Sequence, residues 1–423
     1  MTFIKPYLLG TILLLSAATA HAQKLSGGDI SMLPKYEQAG ATYYTHEGAP
    51  ISDLITYSKQ VGMNAMRVRL FVNPDSSTDG NVCQDIAWVK TLGKRIKDAG
   101  MRFMLDIHYS DTWADPGKQW TPKAWSTLGD NALAKQVYDY TADALAQLKA
   151  AGAEPDLVQT GNEISYGMLW GQSGGTLKQC WPSSPTANWN RFAQLLSQAV
   201  KAVRATTPSA KIILHVERVS GNTTLQADNA NYSALKNFFS KMTAYGIDYD
   251  IIGLSYYPYF HGALSELDGA VSQLESTYPQ KEIMVVETGY PYAWEVPGTT
   301  YDATATWAYS DAGQKQFTDD LIDMLNRHAN VKGLFWWWPE YNAKGTNLSG
   351  WYNAPLFDSN TGRATSAFTE VGKFATNATA VNLPVNTQGT TDDNRYYDLT
   401  GKATDHPKSK GIYIHRQKKT ILP

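Results

Sequence analysis

The sequence predicts a (β/α)₈ barrel with long loops after its strands and a short C-terminal β-hairpin-like tail. Eight short runs rich in Val, Ile, Leu and Met recur along the chain, and the stretches between them carry helical spacing. The runs are apolar throughout rather than alternating, as expected of parallel strands buried on both faces. No G-x-G-x-x-G follows the first run and no phosphate-cradling loop is present, which argues against a doubly wound open sheet.

Taken in order, residues 1–22 read as a cleaved signal peptide: Lys5, an apolar stretch from Leu8 to Ala18, and the small-x-small site Ala20-His21-Ala22. That stretch is well short of the ~20 residues that span a bilayer, and no other is long and apolar enough. The chain is therefore expected to be exported, to the periplasm, the cell surface or the medium. The barrel is expected over 23–380. Its strands are "GGDISML" (27–33), "AMRVRLF" (65–71), "MRFMLDIH" (101–108), "DLVQTGNE" (156–163), "KIILHVE" (211–217), "DIIGLSYY" (250–257), "EIMVVE" (282–287) and "VKGLFWWW" (331–338). Helical spacing fills 51–62, 85–100, 132–152 and 190–206, and Gly62, Gly100 and Gly152 fall where a left-handed C-cap ends a helix. An Asn/Thr-rich polar linker follows at 381–395. The tail, 396–423, holds a hairpin-like pair, "YYDL" and "KGIYIHR", with too few residues for much core.

A formal net charge of -2 offers no basic surface for nucleic acid. Aromatic residues make up 12% of the chain, including 25 Tyr and 13 Trp, a supply of flat amphipathic surface suited to stacking on sugar rings. The two cysteines, Cys83 and Cys180, form an even count in an exported chain and are a candidate disulfide; no His/Cys cluster accompanies them to suggest a metal site.

In a barrel of this class the C-terminal strand ends face the active-site mouth. Those ends carry Arg67 and Arg69, His108 with Asp111, Asn162 with Glu163, Tyr256 and Tyr257, Glu287, and Trp336 to Trp338. Ending an apolar strand on a carboxylate is costly unless the group is exposed at the mouth or paired. The fourth and the seventh strands end this way, on Glu163 and Glu287. A pair of carboxyls facing one another across a mouth suits glycosidic bond hydrolysis, one as proton donor and one as nucleophile or base.

The motifs "HYSDTWADPGKQW", "TGNEISYGMLW", "DIIGLSYYPYFHG" and "VVETGYP" resemble the signatures of glycoside hydrolase family 53, the arabinogalactan endo-β-1,4-galactanases. "GGDISMLPKYEQAGATYY", "RVRLFVNP" and "PLFDSNTGRA" extend the resemblance over about residues 27 to 375. It implies a retaining enzyme that cleaves galactan side chains of pectin, with Glu163 as acid/base and Glu287 as nucleophile, their carboxyls about 5–5.5 Å apart. By the same resemblance Asn162 contacts the sugar 2-hydroxyl, His108 makes a polar contact at the cleavage site, Asp111 and Trp113 shape a glycone subsite, and Trp337 floors the cleaved sugar. One of Arg67 and Arg69 is expected to reach the mouth, with Arg69 taken as the one that orients Glu287; one of Tyr256 and Tyr257 is expected to donate to the nucleophile. Where the family commonly has Glu before the strand-eight proline, this chain has Trp338, and Glu340 follows Pro339. The resemblance implies galactan and galacto-oligosaccharides as partners, no cofactor for the chemistry, and a monomer. Some relatives hold calcium near strands seven and eight, but residues 293–311 carry few acids and no D-x-D-x-D spacing, so structural calcium has no support in the sequence.

Overall fold

The computed structural model describes residues 23–217, 219, 232–342 and 354–376, and in the C-terminal unit residues 396–397, 403–404, 411–415 and 418–422. The expected signal peptide and polar linker lie outside the described residues. The chain divides into two units, residues 1–378 and 379–423.

In the first unit eight parallel strands close on themselves: β1 (Leu25–Asp29), β2 (Ala65–Leu70), β3 (Arg102–Ile107), β4 (Leu157–Thr160), β5 (Lys211–Val216), β6 (Ile251–Tyr256), β7 (Glu282–Thr288) and β8 (Val331–Trp337). All eight expected runs form strands. β1 pairs with both β2 and β8, so the sheet has no edge. A helix follows each strand: α1 (Leu54–Gln60), α2 (Ile86–Asp98), α3 (Asp130–Ala150), α4 (Thr186–Thr206), α5 (Tyr232–Ala244), α6 (Leu264–Thr277), α7 (Asp311–Asn326) and α8 (Ser366–Thr376). Asp53 and Asp85 cap α1 and α2 by accepting the backbone N–H of Thr56 and Trp88. Gly62, Gly100 and Gly152 adopt positive φ just past the helices they were expected to end.

The barrel interior is layered. Leu25, Ala65, Met104, Leu157, Ile213, Ile251, Met284, Val286 and Phe335 form an apolar cluster inside the strands. Period-two alternation then puts Arg67, Asp106, Gln159 and His215, each two residues further along its strand, on the same inward face. These polar side chains have no measurable solvent exposure. In β7 the register shifts, so that Val285 lies opposite Leu254 but Glu287, not Val286, lies opposite Ser255. Such a bulge puts two successive residues toward one face. Val286 thus joins the apolar cluster while Glu287 reaches the mouth.

The second unit is an antiparallel four-stranded sheet. The strand Gly411–His415 pairs with Lys418–Leu422 on one side and Tyr396–Tyr397 on the other, and Ala403–Thr404 adds to the edge. The expected "YYDL"/"KGIYIHR" pairing is present, but the tight hairpin is made by Gly411–His415 and the strand after it.

Candidate active site

The Asn-Glu pair that closes β4 is set by unusual backbone. Gly161 has φ +103 and Glu163 itself has φ +47, a left-handed conformation that costs a non-glycine residue about 1–3 kcal/mol. Tyr109 and Trp338, just past the ends of β3 and β8, also have positive φ. These three non-glycine residues lie at strand ends around the mouth, and a fourth, Leu169, lies in the loop after β4.

Glu287 is ion-paired at 2.9 Å with Arg67 Nη1 and accepts a hydrogen bond of 3.1 Å from the Tyr257 hydroxyl. Tyr256 turns outward and donates to the Gly262 carbonyl, so the tyrosine pair resolves in favour of Tyr257. The arginine expectation is corrected: Arg67, not Arg69, holds Glu287. Residues two apart on a strand share a face, so both arginines point inward, one layer above the other. Arg67 also meets Asp106 Oδ2 at 2.7 Å, Asp29 Oδ2 at 3.2 Å and Asn162 Oδ1 at 2.9 Å. Arg69 pairs with Asp29 Oδ1 at 2.7 Å and lies 4.8 Å from the ring centroids of Trp113, Trp337 and Trp338.

Burial and the facing carboxylates of Asp106 and Asp29 lift the Glu287 carboxyl to about 7, against the pull of Arg67 and Tyr257. Two arginines already balance Asp29 and Asp106, so an ionised Glu287 is the third negative charge in the layer. Glu163 is raised well above the usual carboxylate range, first by burial and then by Glu287 and Glu217, and it accepts a 2.7 Å hydrogen bond from the Ser255 hydroxyl. Glu287 has an arginine that favours its ionised form, and Glu163 has none. Asp106, although buried, is held at about 2 by Arg67 and His108.

Asn162 accepts from Arg67 and from Gln159 Nε2 at 3.2 Å, and its Nδ2 donates to the Ala114 carbonyl at 2.8 Å. His108, expected to touch sugar, accepts the Ala114 N–H through Nδ1 at 3.1 Å, and its Nε2 lies 3.0 Å from Asp106 Oδ2. It therefore shapes the loop that carries Trp113. Asp111 accepts the Lys123 N–H at 2.8 Å through Oδ2 and is likewise tied into that loop. Trp113, half-buried, donates its indole N–H to Asp79 and packs edge-on against Trp337, leaving its partial exposure as a stacking surface. Trp337 lies over both arginines. Trp338 is buried among Trp113, Trp337 and Arg69 rather than offered as a further face. Glu340 is buried and accepts the Met32 N–H; burial first, and then the Asp29 charge, raise its carboxyl well above the usual range.

The disulfide expectation is also corrected: Cys83 and Cys180 are free thiols. Cys83 sits 3.9 Å from Met32 Sδ in the loop after β2. Cys180 is buried in the loop after β4 against Gly167, and burial pushes its thiol up to about 12.

Asp29, Asp106, Gln159, His215, Glu217 and Ser255 were not singled out from the sequence. Asp106, His215 and Ser255 each stand two residues before a polar strand-end residue, and stepping back by the strand period would have found them. Among the described residues no group of three or more His, Cys, Asp or Glu side chains is placed to hold a metal ion, and no helix is long and apolar enough to cross a membrane.

Comparison with known proteins agrees with this geometry. The family model for glycosyl hydrolase family 53 matches residues 25–371. A protein of Cellvibrio japonicus named arabinogalactan endo-beta-1,4-galactanase is 36% identical over 350 residues, covering 78% of this chain and 86% of its own. Arabinogalactan endo-beta-1,4-galactanase A of Aspergillus niger is 32% identical over 351 residues, covering 80% and 90%. The solved catalytic domain of the Ignisphaera aggregans family member superposes with TM-score 0.70 at 30% identity, over 84% of this chain and 96% of that one. With the barrel, the paired strand-end glutamates and a family match over most of its length, the chain belongs to glycosyl hydrolase family 53.

Proposed function

We propose that this protein is an exported endo-β-1,4-galactanase that cleaves galactan, including the type I arabinogalactan side chains of pectin, by retaining double displacement. The substrate is the one named for its relatives in Cellvibrio and Aspergillus. The observation that carries the mechanism is the unequal treatment of the two strand-end carboxyls. Glu287 has an arginine and a tyrosine hydroxyl directed at it, which favour the ionised nucleophile. Glu163 has acidic neighbours and one hydroxyl donor, which favour the protonated acid.

In the first step Glu287 forms a bond to the anomeric carbon, the glycosidic electron pair leaves with the aglycone oxygen, and Glu163 gives that oxygen its proton. In the second step Glu163, now a carboxylate, takes a proton from water as the water oxygen attacks the same carbon and releases Glu287. Asn162, fixed by Arg67, Gln159 and Ala114, has a second Nδ2–H with no protein partner among the described residues and presents it to the 2-hydroxyl. Trp337 forms the floor under the sugar and Trp113 an adjoining stacking face. Two carboxyls suffice for this chemistry, so no cofactor is required.

The test is the product profile of the mature protein on unbranched β-1,4-galactan, with glucomannan and cellulose alongside, for the parent and for Glu287→Gln. A ladder of galacto-oligosaccharides from the parent, and a loss on the order of 10⁴ or more in the variant, is the expected result. Cleavage of mannan or cellulose in place of galactan would overturn the substrate.

A further inference from the structure

We infer that Ser255 and His215 are positioning residues that fix which oxygen of Glu163 carries the acidic proton, by a hydrogen-bond chain that runs in one direction only. The inference rests on the reading of Glu163 as acid/base.

The chain begins at Gln159. Its Nε2 lies 2.8 Å from Asp106 Oδ1, 2.8 Å from His215 Nδ1 and 3.2 Å from Asn162 Oδ1. A carboxamide nitrogen has two hydrogens. One goes to the ionised Asp106, and the other is shared between His215 Nδ1 and Asn162 Oδ1. This accounts for the 3.0 Å approach of those two atoms, which otherwise confront each other as acceptors. His215 Nδ1 also receives the backbone N–H of Glu163 at 3.3 Å. Two donors, the Gln159 amide and the Glu163 N–H, are directed at Nδ1 against one acceptor, Asn162 Oδ1, so Nδ1 carries no proton of its own. The ring has no measurable exposure, and burial with the nearby Arg67 charge lowers its basicity well below the usual imidazole value, so it is neutral.

A neutral imidazole without a proton on Nδ1 must hold it on Nε2. Nε2 lies 2.8 Å from Ser255 Oγ and donates to it. The serine hydroxyl, with an acceptor site filled by His215, is left to donate its hydrogen to Glu163 Oε1, 2.7 Å away. Oε1 is therefore held as an acceptor, and the acidic proton is confined to Oε2, which has no protein partner among the described residues. A free carboxylic acid would divide its proton between two oxygens; this one presents it on the oxygen left open for the leaving group. The same donor steadies the carboxylate in the second step. The bulge in β7 supports the arrangement, because it aligns Ser255 of β6 with Glu287 at one level of the barrel.

Among the described residues, the charged and titratable groups acting on Glu163 are Glu287 from β7, Glu217 from just past β5 and Asp115 from the loop after β3, all of which favour its protonated form, together with the Ser255 hydroxyl, which favours the ionised form. Removing the hydroxyl therefore raises the Glu163 pKa and moves the alkaline limb of kcat/KM to higher pH. Ser255→Ala, which deletes one oxygen, is expected to lower kcat/KM on galactan about ten- to hundredfold, as for loss of a hydrogen bond to an ionisable group. On an aryl galactobioside with an activated leaving group the loss is expected to be no more than about threefold, because departure there needs no proton. Ser255→Thr, which keeps the hydroxyl, should recover most of the galactan activity. In a Glu163→Gln background Ser255→Ala should have almost no further effect on galactan.

Equal losses on both substrates with an unmoved alkaline limb would make Ser255 merely structural and overturn the inference alone, provided Glu163→Gln shows the leaving-group difference. If Glu163→Gln itself falls equally on both substrates, the acid/base reading fails and the inference falls with it.

Discussion

Each barrel strand has two kinds of interior. Ala65, Met104, Leu157 and Ile213 close the lower part of the barrel with carbon, while Arg67, Asp106, Gln159 and His215, two residues further along the same strands, fill the next layer with charge and hydrogen bonds. The backbone geometry and burial of the two layers are alike; only the chemistry changes. The apolar layer needs volume and shape. The polar layer is held by mutual satisfaction, with Arg67 touching Asp29, Asp106, Glu287 and Asn162 at once. Deleting a partner there leaves uncompensated charge, whereas deleting carbon below leaves only a hole.

The largest effect expected, beyond loss of the nucleophile, comes from the top of the polar layer. Glu163→Gln should lower kcat/KM on galactan by about two to four orders of magnitude, and by much less on a substrate with an activated leaving group. Steady-state kinetics on the two substrates checks this, and equal loss on both would remove the acid/base assignment.

Next is the hub. Arg67→Met should destabilise the fold by about 3–5 kcal/mol at neutral pH, since Asp106 would lose its main counter-charge and Asp29 one of its two. Denaturant unfolding measures it. A loss under about 1 kcal/mol would mean that Arg69 and His108 balance the layer without Arg67.

In the lower layer, Met284→Ala should cost about 2–5 kcal/mol in stability. Its sharper signature is that kcat/KM on galactan at 25 °C should stay within about threefold of the parent while the fold holds. A large catalytic loss without unfolding would show that the two layers are mechanically coupled.

The smallest effect tests how the layer tolerates an excess acid. Glu340 is buried and its folded pKa is raised, so its contribution to stability is fully present below the unfolded value and is lost as pH rises through the folded value. Glu340→Gln keeps an acceptor for the Met32 N–H and cannot ionise. Its Tm relative to the parent should rise as pH is increased from about 4 upward. A difference that stays flat with pH would mean that Glu340 titrates as an ordinary carboxyl.

Much of this was legible without coordinates. Apolar runs at strand length, helical spacing between them and glycines at helix ends define the eight units, because burial and periodicity are written locally. Both glutamates were found at strand ends for the same reason, since a carboxylate closing an apolar run has few uses other than the mouth. Arg67 and Arg69, two apart, share a face, and which of them meets Glu287 depends on the height at which the strands close into the barrel, which no local pattern fixes. The loop contacts of His108 and Asp111 could not be read from their positions, since they depend on which backbone groups the fold brings to them. Here Ala114 and Lys123 arrive.

By itself, then, the sequence determined the barrel, the order of its units and the two carboxyls that crown β4 and β7, all consequences of local apolar pattern and strand ends. Only the tertiary structure decided that Arg67 holds Glu287, that Tyr257 rather than Tyr256 faces it, that the two cysteines are separate thiols, and that Glu163 takes its hydrogen bond from Ser255 instead of an arginine. The physical reason is that charge balance and hydrogen-bond direction belong to a closed ring of eight strands. Each group's state is fixed by partners far away in sequence, as with Asp29 and Glu287, 258 residues apart, whose charges meet only when the barrel closes.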